Sequence, residues 1–418
     1  MAAQEKPAQK LPAATSGVTE TDLSNLEGVP WLTRMTLRIA ARLKKGSLTV
    51  ELPDGRHLHF EGPQPGQNAV LVIRDHAFAK HIFTGGDLGA AEAYLRGFWE
   101  TPNITAFLEL FASNRQALME TRSGMKLARL FARVGHLLRH NNRANAKRNI
   151  EQHYDLGNKF YTRWLDPTMT YSSAKFDNPN DDLSAAQLNK YRSLAKRIDL
   201  QSRHHILEIG SGWGGFAEFA AREIGCRVTG VTISKEQLEF ARERMARQGL
   251  QDRVEIRYQD YRDISETYDR IASIEMFEAV GERYWPAYFG KVHDCLKPGG
   301  LAGLQIITID DKSFHAYRKS VDFIQHYIFP GGMLPSVKAL QDEVKRAGLD
   351  WKDNLNFGLD YAETLARWRH RFMEAWPDIQ PLGFDDRFKR MWEYYLAYCE
   401  AGFRSGNIDV TQLTIARS

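Results

Sequence analysis

Between residues 204 and 309, short apolar runs alternate with stretches of helical spacing. The runs HHILEIG (204–210), CRVTGVTIS (226–234), VEIRYQD (254–260), YDRIASIEM (268–276) and LAGLQIITI (301–309) have the length of strands, and helical patterns such as 234–248 lie between them. This rhythm predicts the α/β class, a doubly wound, Rossmann-like and mainly parallel sheet that takes ligands at the carboxyl ends of its strands. Helix-rich insertions at 151–200, 310–345 and 360–405 decorate it, so a single domain is expected over 151–418. Upstream, SLTVELPDGRHLHF (47–60) alternates apolar and polar positions around Pro53-Asp54-Gly55, the signature of a β-hairpin. AVLVIRD (69–75) reads as another strand and 86–113 as helical, which predicts a small α+β domain over 31–120.

The first residues, MAAQEKPAQKLPAATSG, are polar and lack an apolar core segment. Residues 1–30 are therefore expected to be a disordered tail rather than a signal peptide. No run of about 18 apolar residues occurs, so no membrane-spanning helix is expected. Cys226, Cys295 and Cys399 form neither an even framework nor a CxxC pair, which points to a reducing cytosol and to no metal site. A net charge of +4 is too mild to imply nucleic acid, but its distribution is uneven. Residues 122–150 carry eight Lys/Arg and no Asp/Glu, with Leu127, Leu130, Phe131, Val134, Leu137 and Leu138 at helical spacing. A basic amphipathic helix over 121–150 could lie on an anionic membrane surface, or serve as a linker packed on a neighbouring domain.

The candidate chemistry begins at ILEIGSGWGG (206–215), an apolar run that ends in Gly210, Gly212, Gly214 and Gly215. Glycines there permit a tight turn and a close backbone approach to a ligand before the helical stretch 216–224. The spacing is not a strict GxGxxG, and the next run ends at Thr232 and Gln237 without an acidic residue for an NAD ribose. Gln259-Asp260-Tyr261 closes the third run, and LKPGG (296–300) precedes the last. In this order the set resembles class I S-adenosylmethionine-dependent methyltransferases. The resemblance implies a cofactor site of Tyr171, Ser172, Glu208, Gly210, Gly212, Gly214, Thr232, Gln237, Gln259, Asp260 and Tyr261. The plainer alternative makes Asp260 a helix cap and Tyr261 a core residue. After the fourth run stands Glu275-Met-Phe-Glu278-Ala-Val-Gly, where nucleobase amino methyltransferases carry an Asn/Asp-Pro-Pro motif. A carboxylate here suits proton abstraction or the anchoring of a base.

A narrower resemblance rests on HYDLGNKFYTRWLD (153–166), MTYSSAKF (169–176), LEIGSGWGG (207–215), GVTIS (230–234), QDYRD (259–263), MFEAVG (276–281), YIFPGGMLPS (327–336), NFGLDY (356–361) and FKRMWEYYLAYCEAGFR (388–404). These segments are similar to the cyclopropane-fatty-acyl-phospholipid synthases and the related mycolic-acid cyclopropane synthases. The resemblance implies addition of a methylene unit to the cis double bond of a phospholipid acyl chain through a carbocation. It also implies a homodimer at the cytoplasmic face of a membrane. Tyr171, Phe176, Phe277, Tyr317, Phe329, Tyr361 and Tyr395 are candidate stabilisers of the cation, or ordinary core. The family's base is a bound bicarbonate, whose ligands fall on Glu278, Tyr361, Ser173 and Gln305. The last two replace a cysteine and a histidine. Cys399 matches a cysteine once proposed for catalysis, although no basic neighbour in sequence favours its thiolate. Because the cation can lose its proton elsewhere, a methyl- or methylene-branched product is the alternative to a ring.

Overall fold

The computed structural model describes residues 20–119 and 156–418. They belong to two compact units, one on each side of the undescribed stretch. The basic segment 121–150 and residues 1–19 lie outside the described residues. Residues 20–30, expected to be part of a disordered tail, include helix α1 (Glu20–Ser24), and Leu23 is fully buried. An apolar side chain that finds a core overrides a polar local composition.

In the first unit α2 (Trp31–Ala40) precedes a four-stranded sheet, order β2-β1-β3-β4. Strands β1 (Lys45–Glu51) and β2 (His57–Glu61) form the antiparallel hairpin expected around Pro53-Asp54-Gly55. Strand β3 (Gln64–Ile73) runs parallel to β1, and β4 (Trp99–Glu100) closes the edge. The expected helix over 86–113 is instead α3 (Ala77–Leu95) and α4 (Ile104–Ser113), separated by β4. Asn103 ends that break by capping α4, its side chain accepting from the Ala106 N–H at 3.0 Å.

The second unit is built on a seven-stranded sheet, order β10-β11-β9-β8-β5-β6-β7. Its parallel members are β5 (His205–Ile209), β6 (Arg227–Thr232), β7 (Val254–Tyr258), β8 (Tyr268–Ile274) and β9 (Leu296–Ile309). These are the five apolar runs of the sequence. Two antiparallel strands were not foreseen: β10 (Asp350–Asn356) and β11 (Ile408–Ala416), the latter paired with β9 along its whole length. Two apolar clusters cover the sheet. Phe216, Phe219, Ala241 and Met245 lie in one, and Phe277, Trp285, Tyr288 and Phe289 in the other. Helices α5 (Asn158–Trp164), α6 (Leu183–Arg197) and α8 (Asp386–Arg404) fall within the expected insertions, and α7 (Gly358–Ile379) starts two residues before the last of them. Trp164, Trp368 and Trp392 pack edge-on among them.

Candidate active site

Strand β8 ends at Ile274, and the next residue, Glu275, has φ +51°. Left-handed backbone is unusual outside glycine and strained in a residue carrying a long side chain. The turn is held by the Glu275 N–H, which donates to the Gln305 carbonyl on neighbouring β9 at 2.8 Å. Three donors from distant parts of the chain then converge on the Glu275 carboxylate. The Ser173 N–H and Gln305 Nε2 donate to Oε1 at 2.9 and 2.8 Å. The Tyr361 hydroxyl donates to Oε2 at 2.6 Å.

Sequence reasoning grouped Ser173, Gln305 and Tyr361 with Glu278 around an exogenous anion. The three do converge, but on Glu275. Glu278 sits one 3₁₀ turn further on (Phe277–Ala279), where its Oε1 accepts the Ile307 N–H at 2.6 Å. Its Oε2 is buried without a protein partner. Burial, with the neighbouring Glu275 charge adding to it, pushes the Glu278 carboxyl up to about 8, so it is neutral at pH 7. Burial also raises Glu275, but Tyr361, the Lys190 charge, Gln305 and the Ser173 N–H all act in the opposite direction. Two carboxyls three residues apart thus have contrasting surroundings: Glu275 is surrounded by donors, and Glu278 has one.

Two further residues were missed. Lys190 on α6 is fully buried, its Nζ donating to Ser172 Oγ at 2.6 Å. Burial lowers it to about 7, against the pull of Glu275, Asp166 and Glu208. Gln412 on β11 orients Gln305: Ser193 Oγ donates to Gln412 Oε1 at 2.7 Å, and Gln412 Nε2 donates to Gln305 Oε1 at 3.1 Å. Gln305 is therefore left with its amide N–H groups facing Glu275. The signal for Lys190 was in the spacing of α6. Leu183, Ala186, Gln187, Lys190, Tyr191 and Leu194 form one buried stripe, and a lysine on such a stripe is rarely tolerated without a partner.

Aromatic rings adjoin the carboxylate. Tyr361 packs on Phe403 at 4.5 Å and edge-on to Trp368 at 6.3 Å. Tyr171 packs on Trp368 at 5.3 Å and shares a 2.7 Å hydrogen bond with Tyr395, whose ring meets Phe329. Phe277 lies instead in the core against Trp285, Tyr288 and Phe289. Tyr317 is held by Gln325, and Phe176 lies under the Arg367 guanidinium. Burial drives the Cys399 thiol well above its ordinary range, so it carries no thiolate at neutral pH.

At the carboxyl ends of β5 and β6 the glycine turn has φ +84° at Gly210, +51° at Gly212 and +80° at Gly214. A Cβ on Gly214 would press on Ala241 and Met245, whereas one on Gly212 would meet nothing within 4 Å. The turn is therefore packed from behind and open at Gly212. Glu208, on β5, is buried with Oε2 lacking a protein partner, and burial raises its carboxyl well above the usual range. Thr232 Oγ1 meets Gln237 Oε1 at 3.0 Å, and the Gln259 N–H donates to the Thr232 carbonyl, bringing three of the foreseen residues together. Asp260 caps the 3₁₀ turn Tyr261–Asp263 and pairs with Arg262 at 2.5 Å, while Tyr261 packs on Tyr288. The cap is what the plainer alternative expects of Asp260, whereas Tyr261 is half-buried at the edge of the core rather than inside it.

Comparison with known proteins agrees with this architecture. Residues 141–413 match the family model described as mycolic acid cyclopropane synthetase. The chain belongs to that family. It is 41% identical over 361 residues to a tuberculostearic acid methyltransferase of Mycobacterium tuberculosis, covering 84% of each chain. It is 37% identical over 353 residues to a cyclopropane-fatty-acyl-phospholipid synthase of Escherichia coli, covering 84% of this chain and 88% of that one. Among solved structures, a mycolic acid cyclopropane synthase complexed with SAH and CTAB is similar, with TM-score 0.61 and 30% identity. That likeness covers 64% of this chain and 97% of the other. The family thus includes both ring-forming and methylating enzymes that act on lipid acyl chains.

Proposed function

We propose that this enzyme transfers a one-carbon unit from S-adenosylmethionine to the cis double bond of an unsaturated phospholipid acyl chain, closing a cyclopropane ring. The observation that carries the reading is a half-buried, donor-ringed carboxylate beside an aromatic wall, just beyond the carboxyl end of β8 in a methyltransferase sheet. The residues fit the cofactor. The turn at Gly212 is open to a ligand, and Glu208 Oε2 offers an unused acceptor for an ammonium group. Gly210, Gly212, Gly214, Glu208, Thr232, Gln237 and Gln259 would hold it, with Asp260 and Tyr261 toward the adenine and Tyr171 and Ser172 toward the methionine end. When bound, it supplies an electrophilic methyl group. An alkene is a weak nucleophile, so the surroundings must favour the cation that its attack leaves on the acyl chain. The faces of Tyr171, Tyr361 and Tyr395 can do so by cation–π attraction, and the burial of Tyr361 and Tyr395 limits the water that would quench the cation. Loss of a proton from the new methyl group then closes the ring.

A branched product is the second reading. It is favoured by Ser173 and Gln305, which depart from the family's ring-forming set, and by the likeness to the tuberculostearic acid methyltransferase. Both readings share every step up to proton loss.

Peripheral membrane contact belongs to the same proposal. Trp31, Met35 and Ile39 stand four residues apart on α2 with relative exposures of 59%, 41% and 37%, and Phe83 lies 6.4 Å from Trp31. Exposed large apolar side chains in a row suit an interfacial helix. Among the described residues no helix is long and apolar enough to cross a membrane. The test is incorporation of labelled methyl from S-adenosylmethionine into vesicles of unsaturated phospholipid. Label in the lipid supports the proposal, and lipid indistinguishable from a blank without enzyme refutes it.

A further inference from the structure

We propose that Glu275 is the proton acceptor of this reaction, its carboxylate standing where Ser173, Gln305 and Tyr361 would otherwise grip a diffusible oxyanion. The inference rests on the acyl-chain reading above and names its base. Three donors meet one carboxylate, and they are three of the four groups that the resemblance assigns to an anion site, Glu278 being the fourth. An ionised carboxylate has about four lone-pair positions; Oε1 uses two and Oε2 one, leaving a single basic position on Oε2 beside the Tyr361 hydroxyl. The left-handed φ of Glu275 is a local cost that a purely structural glutamate would have little reason to retain. Burial raises the Glu275 carboxyl above the ordinary glutamate range, as suits a proton acceptor, while the donors around it favour the ionised form. Gln305 is locked with its donors inward by Gln412, and the charged form of Lys190, whose Nζ is held by Ser172 Oγ, pulls the Glu275 carboxyl toward ionisation.

The step balances without a further reagent. For the ring, a C–H bond of the new methyl group breaks and its electron pair forms the C–C bond to the cationic carbon. In the branched outcome a hydride first shifts from the methyl-bearing carbon to the cationic one, and a C–H bond next to the relocated cation then breaks to give the C=C bond. The proton bonds to Glu275 Oε2, and the resulting acid returns it to solvent after product leaves. No bicarbonate is required.

Three proteins test this: wild type, Glu275→Gln and Glu275→Gly. Glycine relieves the strain at φ +51°, so the second variant should fold. In buffer stripped of carbon dioxide, wild type should label unsaturated phospholipid at an unchanged rate when millimolar bicarbonate is added. Glu275→Gln should lose about 100-fold or more in turnover, the usual scale for removing a general base, with bicarbonate giving no rescue. Glu275→Gly should be equally slow without bicarbonate and regain activity with it. Independently of turnover, bicarbonate should raise the melting temperature of Glu275→Gly but not of wild type, while S-adenosylmethionine binding by calorimetry stays the same in all three. Wild-type turnover that depends on bicarbonate, or Glu275→Gln turnover close to wild type, would overturn the assignment. Wild type that labels no lipid under either condition would instead refute the acyl-chain reading itself.

Discussion

Replacing Glu278 by glutamine should flatten the pH dependence of stability. In the native protein the Glu278 carboxyl titrates near 8 instead of 4.5, because burial and the Glu275 charge oppose its ionisation. Between those values the folded protein keeps a proton that the unfolded chain has released. Stability from this group is therefore complete below pH 4.5 and declines as pH rises toward 8. Each pH unit in the window costs ~1.4 kcal/mol, so the whole shift amounts to a ceiling of about 5 kcal/mol, which local relaxation reduces. Glutamine keeps the acceptor for the Ile307 N–H, 2.6 Å away in wild type, and mimics the neutral acid in shape. Its amide N–H₂ replaces a carboxyl group that already has no partner at Oε2. The variant should thus match wild type at pH 5.5 within about 1 kcal/mol and exceed it by roughly 2–3 kcal/mol at pH 8.5. Urea denaturation followed by tryptophan fluorescence at several pH values would measure this. Wild-type and variant curves that run parallel from pH 5.5 to 8.5 would refute a neutral, desolvated Glu278.

Tyr361→Phe removes the donor to Glu275 Oε2. The carboxylate then becomes harder to ionise, so the acid limb of the rate profile should move to higher pH and turnover at pH 7 should fall about tenfold. An unmoved acid limb would contradict the contact. Gly212→Val forces a branched side chain into a left-handed position and toward the open face of the turn. Calorimetry should show loss of S-adenosylmethionine binding, and retained binding would remove Gly212 from the cofactor site. Trp31→Asp with Met35→Asp should weaken flotation with unsaturated vesicles while leaving cofactor binding intact. Equal flotation would place membrane contact elsewhere on the chain.

The parallel half of the sheet was readable because β5, β6, β7, β8 and β9 are apolar runs bounded by turn residues. Strand β11 escaped because IDVTQLTIA places Thr411, Gln412 and Thr414 in buried positions, so neither alternation nor a continuous apolar run marks it. Its polar residues are used by the site: Gln412 is what orients Gln305. Ser173, Gln305 and Tyr361 were legible through their resemblance to known enzymes, although 188 positions separate the first from the last. Glu275 stands in the stretch that follows β8, but position alone matches Glu278 to the anion site. Only the left-handed turn at Glu275 shows which of the two carboxylates faces the donors. Lys190 was hidden by its neighbours, since a helix bearing Leu183, Ala186 and Leu194 on one face looks like ordinary core packing.

The central claim is tested most directly by mass spectrometry of unsaturated phospholipid after reaction with S-adenosylmethionine bearing a fully deuterated methyl group. The account predicts acyl chains heavier by one carbon unit that has given up one deuteron, inert to ozone where the ring has closed. Lipid of unchanged mass, or label found only on a headgroup nitrogen or oxygen, would contradict it.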